Sequence, residues 1–290
     1  MSGRIIELAA ISAMMAGTVL AGTCAAETHR EFRFNVGPKA GVSVNNPYGS
    51  VSVKPSTGNV VVVNAVLSSD KVEVENALVG NRVEIQSRLA KGADENSGRV
   101  DYEILAPADA SITLQSNSGS LRAEKLHGDV TLEGAGATVD VRDITNAHVH
   151  VKTLNGPVTL TNVQDGHVEV DSLSGKITLK SVNGPLVQVV STSGEINYSG
   201  DFGDRGYYRF TSYSGNIEAM VPDTISAEVD ARSVRGEVHD DIPLQPKEHQ
   251  SIVVGGLNAF WGTIGRAAMS SRVAMHSVSG KIHLRKRTAK

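Results

Sequence analysis

The sequence predicts an all-β solenoid, a parallel β-helix-like stack of short coils, on three observations. A phrase of the form Ser/Thr-x-Ser/Asn-Gly-x-aliphatic-x-aliphatic returns throughout residues 116–240. Its marker residues Gly119, Ala137, Gly156, Gly175, Gly194, Gly215 and Gly236 lie 18, 19, 19, 19, 21 and 21 residues apart, and a period of about 20 residues marks a solenoid. Between the markers run weaker half-phrases such as Gly128-Asp129-Val130-Thr131-Leu132 and Gly166-His167-Val168-Glu169-Val170. Each coil of about 19–21 residues therefore holds two short strands separated by two turns.

Taken in order, residues 1–26 read as a signal peptide. Arg4 supplies a positive start, Leu8 to Ala21 are almost wholly apolar or small, and Cys24-Ala25-Ala26 offers small residues for cleavage before Glu27. The expected location is the periplasm or the cell exterior. Cys24, the single cysteine, is either discarded with this segment or is the lipid-bearing first residue of an anchored lipoprotein, since Leu20-Ala21-Gly22 resembles the approach to a lipobox.

Residues 27–110 read as a less regular β region, either opening coils or an N-terminal β cap. Strands are expected over Phe32 to Val36, Val42 to Asn45, Ser50 to Lys54, Val60 to Val63, Val72 to Glu75, Arg82 to Gln86 and Val100 to Leu105, each bounded by Gly, Asn, Ser or Pro. Tyr48-Gly49-Ser50-Val51-Ser52-Val53 already resembles the later phrase, and Lys91 to Gly98 reads as an exposed loop. No helical periodicity long enough for a βαβ crossover is present.

Residues 111–240 form the regular solenoid. Alternation within each strand sends one set of side chains inward: Leu121, Val139, Val158, Ile177, Ile196, Ile217 and Val238 form one column, and Val130, Val149, Val168 and Val187 another. β-Branched residues suit a buried pleated surface. Gly119, Gly156, Gly175, Gly194, Gly215, Gly236 and Gly280 are expected at corners where the backbone is crowded or takes positive angles, with the Ser/Thr three residues earlier bonding local backbone. A single coil buries too few aliphatics to offset the ordering of its own chain, so stability must come from neighbouring coils.

Residues 241–290 read as a loop, a cap, a final coil beginning at Ser277-Val278-Ser279-Gly280, and a basic tail of Arg285-Lys286-Arg287 and Lys290. A solenoid needs a cover over its last open edge, and the apolar segment around Phe260 and Trp261 is expected to be that cover or a partner surface.

The recurrent Ser-x-Ser-Gly-x-Ile-x-Leu phrases, the export signal and the closing Ser277-Val278-Ser279-Gly280-Lys281-Ile282-His283-Leu284 resemble the bacterial exported β-strand-repeat family of unknown function, whose members are labelled adhesin-type domains. The resemblance spans roughly residues 30–285. It implies a solenoid outside the cytoplasm and carries no catalytic residues with it.

A formal net charge of −3 and 4% aromatic residues exclude the basic stripe and extended stacking platform of a nucleic-acid binder. Nucleophile elbows, phosphate loops, His-Glu-x-x-His and paired CxxC motifs are absent from the sequence, and no cofactor is implied. Outward positions pair complementary charges across coils, as in Arg122/Asp140, Lys176/Glu195 and Glu218/His239. One outward set stands apart. His148 and His167 share a column on consecutive coils and His150 and Glu169 share the next, a set that can be read as metal ligands, as a pH-sensitive patch, or as a solvated polar column. The functional expectation is a non-enzymatic structural or adhesive module of the bacterial cell envelope, with envelope polysaccharide or protein as partner and membrane contact only through lipidated Cys24 or the basic tail. The alternatives are a carbohydrate-active β-helix enzyme and an accessory subunit of an envelope signalling or assembly complex.

Overall fold

Alternating aliphatic and polar residues produce strands throughout the computed structural model, which describes residues 27–242, 245, 258–265 and 270–287. The expected signal segment with Cys24, and Lys290, lie outside the described residues. The N-terminal strands are Thr28–Asn35 (β1), Gly41–Asn45 (β2), Val51–Pro55 (β3), Val60–Leu67 (β4), Val72–Val79 (β5), Arg82–Leu89 (β6) and Val100–Ala106 (β7). The regular region supplies Ser111–Ser116 (β8), Ser120–Glu124 (β9), Val130–Gly134 (β10), Thr138–Thr145 (β11), His148–Thr153 (β12), Val158–Gln164 (β13), His167–Ser172 (β14), Ile177–Val182 (β15), Leu186–Ser191 (β16), Ile196–Ser199 (β17), Tyr207–Ser212 (β18) and Ile217–Val221 (β19). Ala227–Ser233 (β20), Val238–Asp240 (β21), Asn258–Ile264 (β22), Ser271–Ser277 (β23) and Ile282–Lys286 (β24) complete the chain.

The strands form two 12-stranded sheets whose middle portions are parallel and in register. Leu121, Val139, Val158, Ile177, Ile196 and Ile217 lie directly over one another, as do Val130, Val149, Val168 and Val187 on the facing sheet, and all are buried. This is the all-β solenoid that the repeat predicts. A third buried column, Ile144, Val163 and Val182, runs beside the first. It follows a recurring bulge in which Asp143, Asn162 and Ser181 adopt left-handed backbone angles of 54°, 55° and 52°, so that the chain skips one pairing position and turns the next side chain inward. Near the C-terminal end the core becomes aromatic: Tyr198 stacks on Phe202 at 5.0 Å and leans on Phe210 at 5.3 Å. The Tyr198 hydroxyl donates to the Val182 carbonyl at 3.1 Å, which satisfies its one polar atom.

Stacking order departs from chain order at both ends. Ile217 pairs with Ile282, not with Val238, and Val238 lies on the far side of Ile282. The coil of β23 and β24 is thus inserted between the coil of β18 and β19 and that of β20 and β21. The late phrase at Ser277 is last in sequence but next to last in space. At the other end the coil of β2 and β3 is held between β6 and β7 on one side and β8 and β9 on the other. Antiparallel strands then close the stack: β4 and β1 beyond β7, β5 beyond β6, and β22 beyond β20. Reversing strand direction stops the propagation of a parallel ladder and shields its edge.

The inserted coil also changes the expected charge pairing. Glu218 bonds Arg285 at 3.0 Å and not His239. Arg285 and Lys286 therefore belong to β24 and are held in ion pairs, the latter with Asp223, where the sequence suggests a solvated tail.

Candidate binding site on the C-terminal coils

Corner chemistry fixes the frame on which outward side chains are displayed. The buried hydroxyl of Ser191 accepts from the Gly194 amide at 2.8 Å, and Thr153, Ser172, Ser212, Ser233 and Ser277 repeat the bond to Gly156, Gly175, Gly215, Gly236 and Gly280 at 2.9–3.1 Å. Only Gly119, of the expected corner glycines, takes a positive φ, 106°. At the others glycine is required by approach: a Cβ on Gly175 would overlap the carbonyl oxygen of Gly156, and one on Gly280 that of Gly215. Stacked corners hold each outward residue opposite its neighbour in the next coil.

Across β18, β23, β20 and β22 this register builds three rows. Tyr207, Arg272, Glu228 and Thr263 form the first; Arg209, Ala274, Asp230 and Trp261 the second; Thr211, His276, Arg232 and Ala259 the third. Ala274 sits amid tall neighbours, and the result is an open depression of about 340 Å³ lined by Tyr207, Trp261, Arg272, Glu228, Asp230, Arg232 and His276. Phe260 and Trp261, adjacent in sequence, part company here. Phe260 packs toward the core and pairs opposite buried Ala231, whereas Trp261 pairs opposite outward Asp230. One residue sits over the open end of the stack and the other faces the depression.

Asp230 is the electrostatic centre of the depression. Partial burial pushes its pKa up, but contact with His276 and Arg232 outweighs burial and holds the carboxyl below the usual range. The Arg232 Nε lies 2.6 Å from one oxygen and His276 Nε2 3.7 Å from the other. At that separation His276 lies beyond hydrogen-bond reach of the carboxylate, and its Nε2, with Thr211 Oγ1, is buried with no hydrogen-bond partner among the described residues. Arg272 and Arg209 make no ion pair among the described residues. Three other depressions among the described residues, of about 720, 380 and 570 Å³, are lined by no aromatic side chain.

Residues 40–285 match the family model described as Toastrack DUF4097. The chain belongs to the Toastrack family. No curated protein matches it. Among solved structures, a candidate adhesin of Bacteroides fragilis aligns over 89% of this Toastrack chain and 97% of its own, with 13% identity and a TM-score of 0.44. A candidate cell adhesion protein of Clostridium sporogenes aligns over 90% and 100%, with 13% identity and a TM-score of 0.29. Likeness at this level does not bear on function.

In the Toastrack frame the histidine set falls on β12 and β14. His148 and His167 stack with ring centroids 4.7 Å apart and planes 20° from parallel, and His150 Nδ1 lies 3.4 Å from Glu169. The four residues thus form a stacked pair and a separate His150–Glu169 contact. Among the described residues no three His, Cys, Asp or Glu side chains converge on a metal position. A second histidine pair, unsuspected from sequence, is made by coil insertion. His239 and His283 approach to 6.1 Å, His239 beside Glu237 at 3.5 Å and His283 beside Asp241 at 3.1 Å.

Proposed function

We propose that this Toastrack chain is an exported, non-catalytic binding module of the bacterial cell envelope that holds polysaccharide on the outer face of its C-terminal coils. The observation that carries the reading is the Ala274 depression, which combines a small floor, two aromatic side chains and convergent charged groups on rigid strands. Sugars are held by such mixtures of apolar surface and placed polar groups. Tyr207 and Trp261 are three strands and one two-residue step apart, roughly 16 Å at ordinary strand spacings, a span for several sugar rings.

Catalysis is the weaker reading. Glu228 and Asp230 lie two residues apart on one face, a separation that suits a glycosidase pair. Asp230, held low, would have to be the ionised member of such a pair, which leaves Glu228 alone to act as general acid. The test is binding of the mature protein to arrayed envelope glycans, with product masses read from the same wells. Binding without cleavage supports the module; cleavage, or binding only to envelope protein, contradicts it.

A further inference from the structure

We propose that the glycan of the Ala274 depression is an extended, linear chain that continues out of it across β16, β14 and β12, one ring per coil, in contact with Leu186, His167 and His148; this rests on the glycan-binding reading above. Tyr207, on the rim of the depression, pairs opposite Leu186, Leu186 opposite His167, and His167 opposite His148. The first row of the depression therefore runs on unbroken over three more strands, ~14 Å at ordinary spacing. All four side chains point outward, since the residues that follow them, Tyr208, Val187, Val168 and Val149, are buried. From β12 to β22 the row crosses six strand spacings, about 29 Å.

The two histidines carry the chemistry. Their rings stack at 4.7 Å with planes 20° from parallel, so the ring faces meet each other and the edges, with the nitrogens, are left for a ligand. Neither ring hydrogen-bonds to another of the described residues, whereas His127, His150, His239 and His283 each lie against a polar side chain. A neutral imidazole has one donor and one acceptor nitrogen, which matches a sugar hydroxyl. Here two such edges repeat at the strand spacing. Successive rings of an extended polysaccharide present the same hydroxyls at about that interval, so adjacent coils can bond adjacent rings in the same way. A compact or branched ligand offers no such repeat. Half-buried Leu186 supplies apolar floor between the histidines and Tyr207. In the next row His150, Glu169 and Gln188 stand one two-residue step away, ~7 Å, in reach of groups on the flank of the chain. Asp129 bounds the row, its carboxylate accepting from the His148 amide at 3.1 Å.

The experiment is calorimetric titration of the mature protein with three-ring and six-ring oligomers of galactan, chitin and amylose, lengths that match the depression alone and the whole row. The expected result is binding of at least one series, with its six-ring member about tenfold tighter or more than its three-ring member. His148→Ala/His167→Ala is expected to lower six-ring affinity to the three-ring level and to leave three-ring binding in place. Thr159→Ala/Thr178→Ala, at paired outward positions on the opposite sheet, is expected to change nothing. Equal affinity for the two lengths overturns the extended chain and leaves the glycan-binding module standing. Binding of neither length in any series overturns both. A six-ring preference that survives the histidine variant also overturns the proposal, because the chain would then leave the depression in another direction. So does an equal loss at both lengths, which would mean that the histidines act on the depression itself. Circular dichroism and thermal midpoints of each variant separate loss of the site from loss of the fold.

Discussion

Replacing Gly175 by alanine tests the stacking argument with a single added carbon. The new Cβ would overlap the Gly156 carbonyl oxygen, and the Gly194 corner rests on Gly175 in the same way, so the coil is confined on both sides. Relief requires parting two coils at the corner. Overpacking of a close-packed site costs about 1–3 kcal/mol. Parting the corner also strains the bonds from Ser174 N to Leu154 O at 2.8 Å and from Gly175 N to Ser172 Oγ at 3.0 Å, each contributing about 1 kcal/mol. The total is about 3–5 kcal/mol, which lowers the thermal midpoint by roughly 6–20 °C in a domain of this size. Gly136→Ala is the matched control: its Cβ would meet only the Asn117 carbonyl oxygen, at an ordinary 3.5 Å, so its midpoint is expected within 1–2 °C of wild type, marking a change under about 0.5 kcal/mol. Thermal unfolding by far-ultraviolet circular dichroism, with hydrogen exchange to localise the loss, reads both. Equal midpoints for the two variants would refute close approach as the reason for glycine at the corners.

Other perturbations follow from the same geometry. Ser191→Ala leaves the buried Gly194 amide without its acceptor, and denaturant melts are expected to show a loss of about 1–3 kcal/mol. Tyr198→Ala removes the centre of the aromatic cluster and is expected to cost about 3–5 kcal/mol in the same assay. Glu237, bonded to Lys281, and Asp241, bonded to His283, have carboxyls held below their ordinary values. A depressed folded pKa stabilises above the unfolded value, ~4, and the contribution is lost as pH falls through the folded value. The thermal midpoint should therefore drop below about pH 4, and less steeply in Glu237→Gln/Asp241→Asn; identical slopes would remove these pairs from the acid response. Deleting 270–287 withdraws a coil that separates two others, and the truncated protein is expected to lose cooperative unfolding or to aggregate, as gel filtration and melting would show.

How much of this was legible in the sequence depends on whether neighbours in space are neighbours in the repeat. The columns from Leu121 to Ile217 and from Val130 to Val187 were readable because each coil follows the last and alternation fixes the inward face. Ile144, Val163 and Val182 were missed because the bulge breaks strict alternation; the signal was present in Asp143, Asn162 and Ser181, turn-forming or left-handed residues recurring in phase. Coil order at the ends was not readable. Ser233-Val234-Arg235-Gly236 and Ser277-Val278-Ser279-Gly280 carry the same phrase, and nothing local says which should stack on Gly215. That ambiguity also hid the candidate site. Its residues come from β18, β20, β22 and β23, and only the inserted coil brings Arg272 and Ala274 beside Tyr207, Asp230 and Trp261. The histidine pairing on β12 and β14 was legible, since both strands lie in the regular region, but the mutual ring stacking depends on side-chain rotamers that sequence does not specify.

The most direct measurement uses the chain's single tryptophan, which lines the depression. Titrating the mature protein with the glycan that it binds on the array while recording Trp261 emission should give a saturable change, with the same midpoint as calorimetry. Ala274→Phe, which fills the floor from the outward face, should abolish both signals and leave the melting curve intact. Calorimetric binding with unchanged Trp261 emission, or undiminished affinity in Ala274→Phe, would place the ligand elsewhere and contradict the account.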